Sequence, residues 1–504
     1  MDQQKRPLSR RDFLRGAGMA SLGAAFVAAG CQPKTVIVEK EVEKVVTQVV
    51  KETVKETVKE TVIVEGTPQV VEKEITKVVE KVVTPTPAPA EAVNIIYWHS
   101  WTEQWEEMTQ FVCDSFNQKF PGVHAELVVI PGAERTTKFL SAVAAGNPPD
   151  MITVYSAMGI PSFVEQNAVL ALENEDDIAA AREWFHPAVL ELGTYEGKVW
   201  GLSYWQQTAC IGWNKKAFDE VGLDRDTPPA TIAELDAMAE KLTQMAGDRI
   251  DRMGHMPTNY WQWAAAWDGS FYDPIHRQIT ANDPKIVDMF EWMASYSEKY
   301  DVTQLQAFQE GLASERAGIL DPFISGRIAI HEVGGAWKLG DFRKYAEEGF
   351  EFGIAPSPNP PGMSGVSTYS YGDFTVVPRG TKHPDEAWQF VKYTGGLGGS
   401  LEDYMTVLSW GGRPINVPVT TQILDYEPFK QLVADYPGYQ EMIDMFLKGD
   451  RVGMPPLLPV GSFYGDRLNA ARDKVRLLDM TPQAAMDQVT EEVQKELDDF
   501  YANR

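Results

Sequence analysis

Between residues 93 and 155 the spacing of apolar positions changes repeatedly, and each change predicts an element. "VNIIYW" is a near-continuous apolar run of the kind a doubly covered strand carries. Trp105, Met108, Phe111, Val112, Phe116 and Phe120 then recur at steps of three and four, which places them on one helix face. "VHAELVVI" returns to alternation, a helix follows around Lys138 to Ala145, and "MITVY" at Met151 reads as a third strand. The order β-α-β-α-β predicts an α/β fold with a mainly parallel sheet covered on both faces. Open sheets of this kind bind ligands beyond the carboxyl ends of their strands. Trp98, His99, Ser100 and Trp101 stand at one such end, and Tyr155 and Ser156 at another. Large rings crowded at a strand-to-helix junction predict a surface on which something flat lies.

Upstream the pattern differs. From Thr35 to Val83 the chain is almost entirely Val, Thr, Lys and Glu, including "KETVKETVKETV". Val71, Ile75, Val78 and Val82 step by four, three and four, as a coiled-coil seam does, whereas Val50, Val54, Val58 and Val62 step uniformly by four. Val and Thr are poor helix formers, and Gly66 and Pro68 interrupt the run. A helical stalk and a solvated extended linker both fit residues 32–92. "TPTPAPAEA", which ends at Ala92, is a stiff Pro-rich spacer in either case.

Composition narrows the class. A chain of 504 residues with 44% apolar content buries a large core in more than one domain. The net charge is −26, and since the first 31 residues are basic and the stalk nearly balanced, the acidity falls on the body. Such a surface repels phosphate backbones and anionic lipid, which disfavours nucleic-acid binding and a basic membrane patch.

The N-terminus reads as an address. "SRRDFLR" followed by the short apolar "GAGMASLGAAFVAAG" resembles a twin-arginine signal, and the run falls short of the roughly 20 residues a membrane span needs. "AAGC" resembles a lipoprotein cleavage site, with Ala28 where Leu is more usual, so Cys31 is the expected lipidation site. The mature protein is then exported and lipid-anchored on the outer face of the cytoplasmic membrane without spanning it. Cys113 and Cys210 remain; export permits a disulfide between them, but a chance pair of small buried residues gives the same pattern and is the favoured reading. No CxxC or His-rich spacing indicates a metal or cofactor.

Over residues 93 to 504 a series of segments, taken in order, resembles the extracellular solute-binding proteins of ABC importers, of the maltose and glycerol-3-phosphate types. "IIYWHSWTEQW" is similar to that family's first strand and ligand loop, and "FNQKFPGVHAELVVIPG" to its passage into the second strand. "AAGNPPDMITVYSA" is similar to the segment feeding the third strand, and "GKVWGLSYWQQTACIGWNKKAFDEVGLD" to the strand that crosses between lobes. "FISGRIAIHEVGGAW" resembles the lining of the second lobe, and "TKHPDEAWQFVKYT" the helix after the return crossing. The resemblance implies a two-lobed periplasmic-binding-protein-like fold with the ligand cleft between its lobes. Lobe 1 comprises 93–207 and 370–425, lobe 2 comprises 208–369 and 426–504, and the hinge lies near Trp205 to Thr208 and Ser367 to Asp373. It further implies a permease partner in the membrane.

Aromatic faces against pyranose faces, with planar polar groups for the hydroxyls, are how carbohydrate is recognised. In "YWQWAAAWDGSFYD" the resemblance points to Tyr260 and Trp263, with Trp267 on the same helical face as Trp263, a face that a core also wants. Trp337 falls where maltose binders have a stacking Trp, and Gly335 lets backbone approach a ligand. Trp98, Ser100, Trp101, Ser156, Tyr204, Gln206, Tyr371 and Asp373 are candidates by position at strand ends or crossings, and Arg413 is a candidate partner for an anionic group. The expected solute is a mono- or oligosaccharide, with glycerol-3-phosphate or a glycerophosphodiester as the alternative. An enzyme finds little support: there is no HExxH, GxSxG or phosphate loop. A glycoside hydrolase would have to draw its carboxylate pair from Asp268, Asp273, Asp321, Glu332 and Asp373. A structural envelope protein on a stalk is the third class.

Overall fold

The computed structural model describes residues 48–64, 67–83, 92–102, 104–155, 157–313 and 321–503. The signal, Cys31, most of the Pro-rich spacer and Ser156 lie outside the described residues. The chain divides into two compact units, Met1–Ala90 and Glu91–Arg504.

In the first unit, β1 (Gln48–Val64) and β2 (Thr67–Val83) form an antiparallel ribbon with Gln48 opposite Val83 and Val64 opposite Thr67. This corrects the helical expectation. The steps of four and three are overridden by the density of β-branched Val, Ile and Thr, which lose rotamer freedom in a helix and suit a pleated strand. The backbone is extended, as the alternative has it, but paired.

In the second unit β3 (Val93–His99), α1 (Gln104–Lys119), β4 (Val123–Val129), α2 (Gly132–Ala144), β5 (Met151–Val154), α3 (Gly159–Glu165), β6 (Val169–Leu170) and β7 (Gly201–Ser203) come first. The chain continues through β8 (Gln207–Asn214), α4 (Tyr260–Ala266), α5 (Pro284–Tyr300), β9 (Ile330–Val333), α6 (Trp337–Tyr345), β10 (Phe352–Ala355) and β11 (Ser367–Tyr371). It returns through β12 (Phe374–Pro378) and α7 (Pro384–Thr394), and ends with β13 (Arg451–Gly453), α8 (Gly461–Arg476) and α9 (Pro482–Ala502).

The first sheet has the order β4-β3-β5-β12-β6, with β7 also on β12. β3 is parallel to β4 and β5, while β12 runs against β5, β6 and β7. Its core forms where Tyr97 and Phe116 meet Phe390 of α7, with ring centroids 5.1 and 5.0 Å apart. Met108, Val112 and Phe116 are buried as the helical spacing predicts, while Phe111 faces solvent. The second sheet has the order β9-β8-β11-β13, with β10 also on β8. Its core packs Trp263, Phe290, Tyr464, Leu468 and Val493 from α4, α5, α8 and α9.

Two strands carry the chain between sheets side by side. β7 of the first sheet runs through residues 204–206 into β8 of the second, and β11 of the second returns through 372–373 into β12 of the first. The two pairs are locked in register, Ser203 opposite Phe374 and Gln207 opposite Tyr371. The crossings approach so closely that a Cβ at Gly372 would lie 2.8 Å from the Trp205 carbonyl oxygen, which is why that position is glycine. Cys113 and Cys210 are buried and free. Among the described residues no helix is long and apolar enough to cross a membrane.

Candidate functional site

Parallel strands end together, so the residues after β3, β4 and β5 gather at one edge of the first sheet. The register adds two more: Phe374 pairs with both Val154 and Ser203, which brings Tyr155, Trp205 and Asp373 alongside the loop after β3. Trp101 lies nearly parallel to Tyr155 and to Trp205, with centroids 5.2 and 5.4 Å away. The Trp205 indole N–H donates to Asp373 Oδ2 at 3.1 Å. Burial pushes the Asp373 carboxyl up to about 7, with the Trp205 bond and the Arg135 charge opposing that rise.

His99 sets the loop. It is fully buried; its Nε2 lies 2.6 Å from Thr109 Oγ1, and its Nδ1 accepts from the Trp101 backbone N–H at 2.8 Å. Burial, aided by the Arg135 charge, lowers its pKa to about 3, so the ring is neutral and fixes Trp101. Tyr155 Oη accepts from the Ser100 N–H at 2.6 Å, and Arg135, in the first turn of α2, donates to Ser100 Oγ at 3.2 Å. The Arg135 guanidinium also stacks over Tyr155, 3.9 Å from its centroid.

The second sheet contributes Trp337, Gly335 and Tyr371. Trp337 opens α6 and meets Trp105 of the first lobe edge-to-face at 5.3 Å. A Cβ at Gly335 would fall 2.5 Å from Asn416 Oδ1 and 2.9 Å from the Trp337 ring, so glycine lets these two converge. Tyr371 is half-buried beside Tyr369, which stacks on Trp261 at 5.9 Å.

Several sequence candidates fall elsewhere. Trp263 is fully buried, between His255 and Trp292, and its N–H donates to Glu332 at 2.5 Å. Trp267 packs on Trp292 at 5.2 Å, and Tyr260 is buried with its hydroxyl 3.3 Å from Asn469. The core claimed this helix face because apolar residues on it meet α5 and α8. Tyr204 is buried against Trp205, 4.1 Å between centroids. Gln206 is fully buried and spends its amide on Ser203 and the Trp205 carbonyl. Arg413 is held by Asp341 at 3.0 Å. Trp98 is half-buried against the Phe139 and Ile152 cluster.

Sequence reasoning missed Arg135, Trp205 and Trp261. For Trp261 a signal existed, since it is two residues from Trp263 and therefore off the face that Trp263 and Trp267 share. A separate cavity of about 580 Å3 lies within the second lobe, lined by Met256, Thr258, Phe290, Lys338 and Arg472 among others. Among the described residues no group of His, Cys, Asp and Glu is placed to hold a metal ion.

Residues 112–435 match the family model described as bacterial extracellular solute-binding protein. The chain belongs to that family. The sn-glycerol-3-phosphate-binding periplasmic protein UgpB of Yersinia pestis is 24% identical over 275 residues, covering 52% of this chain and 60% of that relative. Its counterpart in Rhizobium meliloti is 22% identical over 281 residues, covering 53% and 62%. The chain therefore spans about 60% of the length of these curated relatives. Among solved structures, CpMnBP1 with mannotriose bound is 27% identical with a TM-score of 0.68, covering 79% of this chain and 99% of that one. The Listeria monocytogenes substrate-binding protein Lmo0181 in complex with cycloalternan, 16% identical with a TM-score of 0.66 over 81% of this chain and 99% of that one, shares the fold. The two-lobed architecture is common to all these solved proteins, and relatives and solved neighbours alike are binding proteins by name.

Proposed function

We propose that this protein captures a mono- or oligosaccharide between its two lobes and delivers it to the membrane permease of an ABC importer, as an exported lipoprotein anchored through Cys31. The observation that carries the reading is a set of half-buried aromatic rings on both sides of the crossing strands: Trp101 and Tyr155 from the first sheet, Trp261, Tyr371 and Trp337 from the second. Rings left half-buried at a junction keep area for the apolar faces of sugars. Ser100, the Gly335 backbone and Asn416, whose Oδ1 is buried without a partner, supply polar groups for hydroxyls.

Capture rather than catalysis is supported by the carboxylates. Asp268 pairs with Lys285, Asp273 with His276 and Asp321 with Lys338, while Glu332 caps the Thr258 turn and Asp373 holds Trp205. Each has its own structural partner; Asp321 and Glu332 line one cavity, but there they are engaged by Lys338 and by Thr258.

Glycerol-3-phosphate is the second reading, favoured by the named relatives and by Arg135. Against it, Arg413 is neutralised by Asp341, and one remaining guanidinium is a thin site for a phosphate. Thermal unfolding of the mature protein with mannobiose, mannotriose, maltose and sn-glycerol-3-phosphate tests the choice, because a bound solute raises Tm by mass action. A rise with a sugar is expected; a rise with glycerol phosphate alone would replace the first reading by the second.

A further inference from the structure

Arg135 is a cation of the aromatic cluster, and among the described residues it has no ion-pair partner. Its guanidinium donates to the neutral Ser100 Oγ and lies on the Tyr155 ring, and among the described residues no carboxylate comes within 4.0 Å of it. Among other half-buried or buried cations, Arg413 has Asp341, Lys338 has Asp321 and Arg252 has Glu220, whereas Arg451 is engaged away from the cluster by the Ser364 carbonyl and Asn359. The groups that favour its charge are Tyr155 and then Asp373, whose carboxyl is committed to the Trp205 N–H. A guanidinium removed from water without an anion is unfavourable, and burial accordingly lowers its pKa. Arg carries five N–H donors in a planar fork, and Ser100 takes one.

Resting on the sugar reading above, we infer that the solute carries a carboxylate on its ring, as a uronate or uronate-terminated oligosaccharide does, and that Arg135 receives it. The stoichiometry of charge selects this class. One fork matches one carboxylate in the two-bond geometry, whereas a phosphate monoester brings nearly two charges and asks for more donors than this edge offers. The placement fits as well. Tyr155 carries the guanidinium and stacks on Trp101, so a ring lying on the aromatic surface would bring an exocyclic carboxylate to Arg135.

Calorimetric titration of the full mature chain with galacturonate, digalacturonate, galactobiose, mannobiose and sn-glycerol-3-phosphate tests this, with Arg135→Gln and Arg135→Lys beside the wild type. The uronide is expected to bind at least about tenfold more tightly than its neutral counterpart, roughly what one charge-assisted pair contributes. Arg135→Gln should abolish that preference, the uronide losing about tenfold more affinity than its neutral counterpart loses, and Arg135→Lys should restore part of it. Neutral sugars bound as well as uronates would overturn the inference and leave the sugar reading standing. Binding of glycerol phosphate that depends on Arg135, with no uronate bound, would overturn it in favour of a phosphate. No sugar bound at all, acidic or neutral, would remove both. Should Arg135→Gln melt early, the wild-type preference alone decides.

Discussion

Trp205 and Asp373 belong to different crossing segments and are joined by one buried hydrogen bond, indole N–H to carboxyl oxygen at 3.1 Å. The bond ties the outgoing strand pair to the returning one where the two lobes are connected. It also fixes the ring that Trp101 stacks on, so the crossing segments and the aromatic surface share a part.

The Asp373 carboxyl gives that bond a pH signature. Its folded-state pKa is raised to about 7, against about 3.9 in an unfolded chain. The folded protein therefore keeps a proton that the unfolded chain has released, and the stability from this group, fully present below about pH 4, is lost as the pH rises toward about 7. Asp373→Asn retains an acceptor for the indole and cannot ionise. Its unfolding free energy is expected to gain on the wild type between about pH 4 and about pH 7 and then to run parallel, read by urea unfolding at several pH values. Parallel profiles would show that Asp373 is not the titrating group.

Anchoring is tested at the N-terminus. Cys31→Ser should move the protein from the membrane to the soluble exported fraction, and Arg10→Lys with Arg11→Lys should hold it inside the cell. Membrane association that survives loss of Cys31 would remove the lipid anchor.

A chain beginning at Ala92 should fold and bind sugar with the affinity of the whole mature protein, because Glu91–Arg504 is a compact unit by itself. Equal affinities by calorimetry are the expected result. A loss of binding would make the Val/Thr/Lys/Glu ribbon part of the site.

How far the sequence reaches can be judged from particular residues. Local periodicity sufficed for the first sheet: the runs at Val93, Val123 and Met151 are strands, and Met108, Val112 and Phe116 turn inward. Periodicity left the stalk open between helix and extended chain, and there a four-residue repeat of β-branched residues pairs as strands. At the site, the loop after β3 was legible because two Trp in a strand-end loop are unusual. Arg135 was not, since a single Arg in a first helical turn has no pattern. Nor was the meeting of Tyr155, Trp205 and Asp373, which depends on the register of Phe374 against Val154 and Ser203 across some two hundred residues of chain.

The Trp residues separate the ligand surface from the core. Trp337 and Trp261 are half-buried beside the crossing strands, so Trp337→Ala and Trp261→Ala should leave Tm nearly unchanged. If each stacks on the sugar, removal costs on the order of 2 kcal/mol of binding, about thirtyfold in Kd. Trp263→Ala should do the reverse. It empties a fully buried volume between His255 and Trp292 and takes a donor from Glu332, so roughly 3–5 kcal/mol of stability is at stake. Where that variant still folds, the Trp101 and Trp337 surfaces are untouched and its affinity should stay within a few-fold of the wild type. Calorimetric affinity and thermal midpoint on the three variants decide the matter. Normal affinity in Trp337→Ala and Trp261→Ala together would mean that the sugar is held elsewhere.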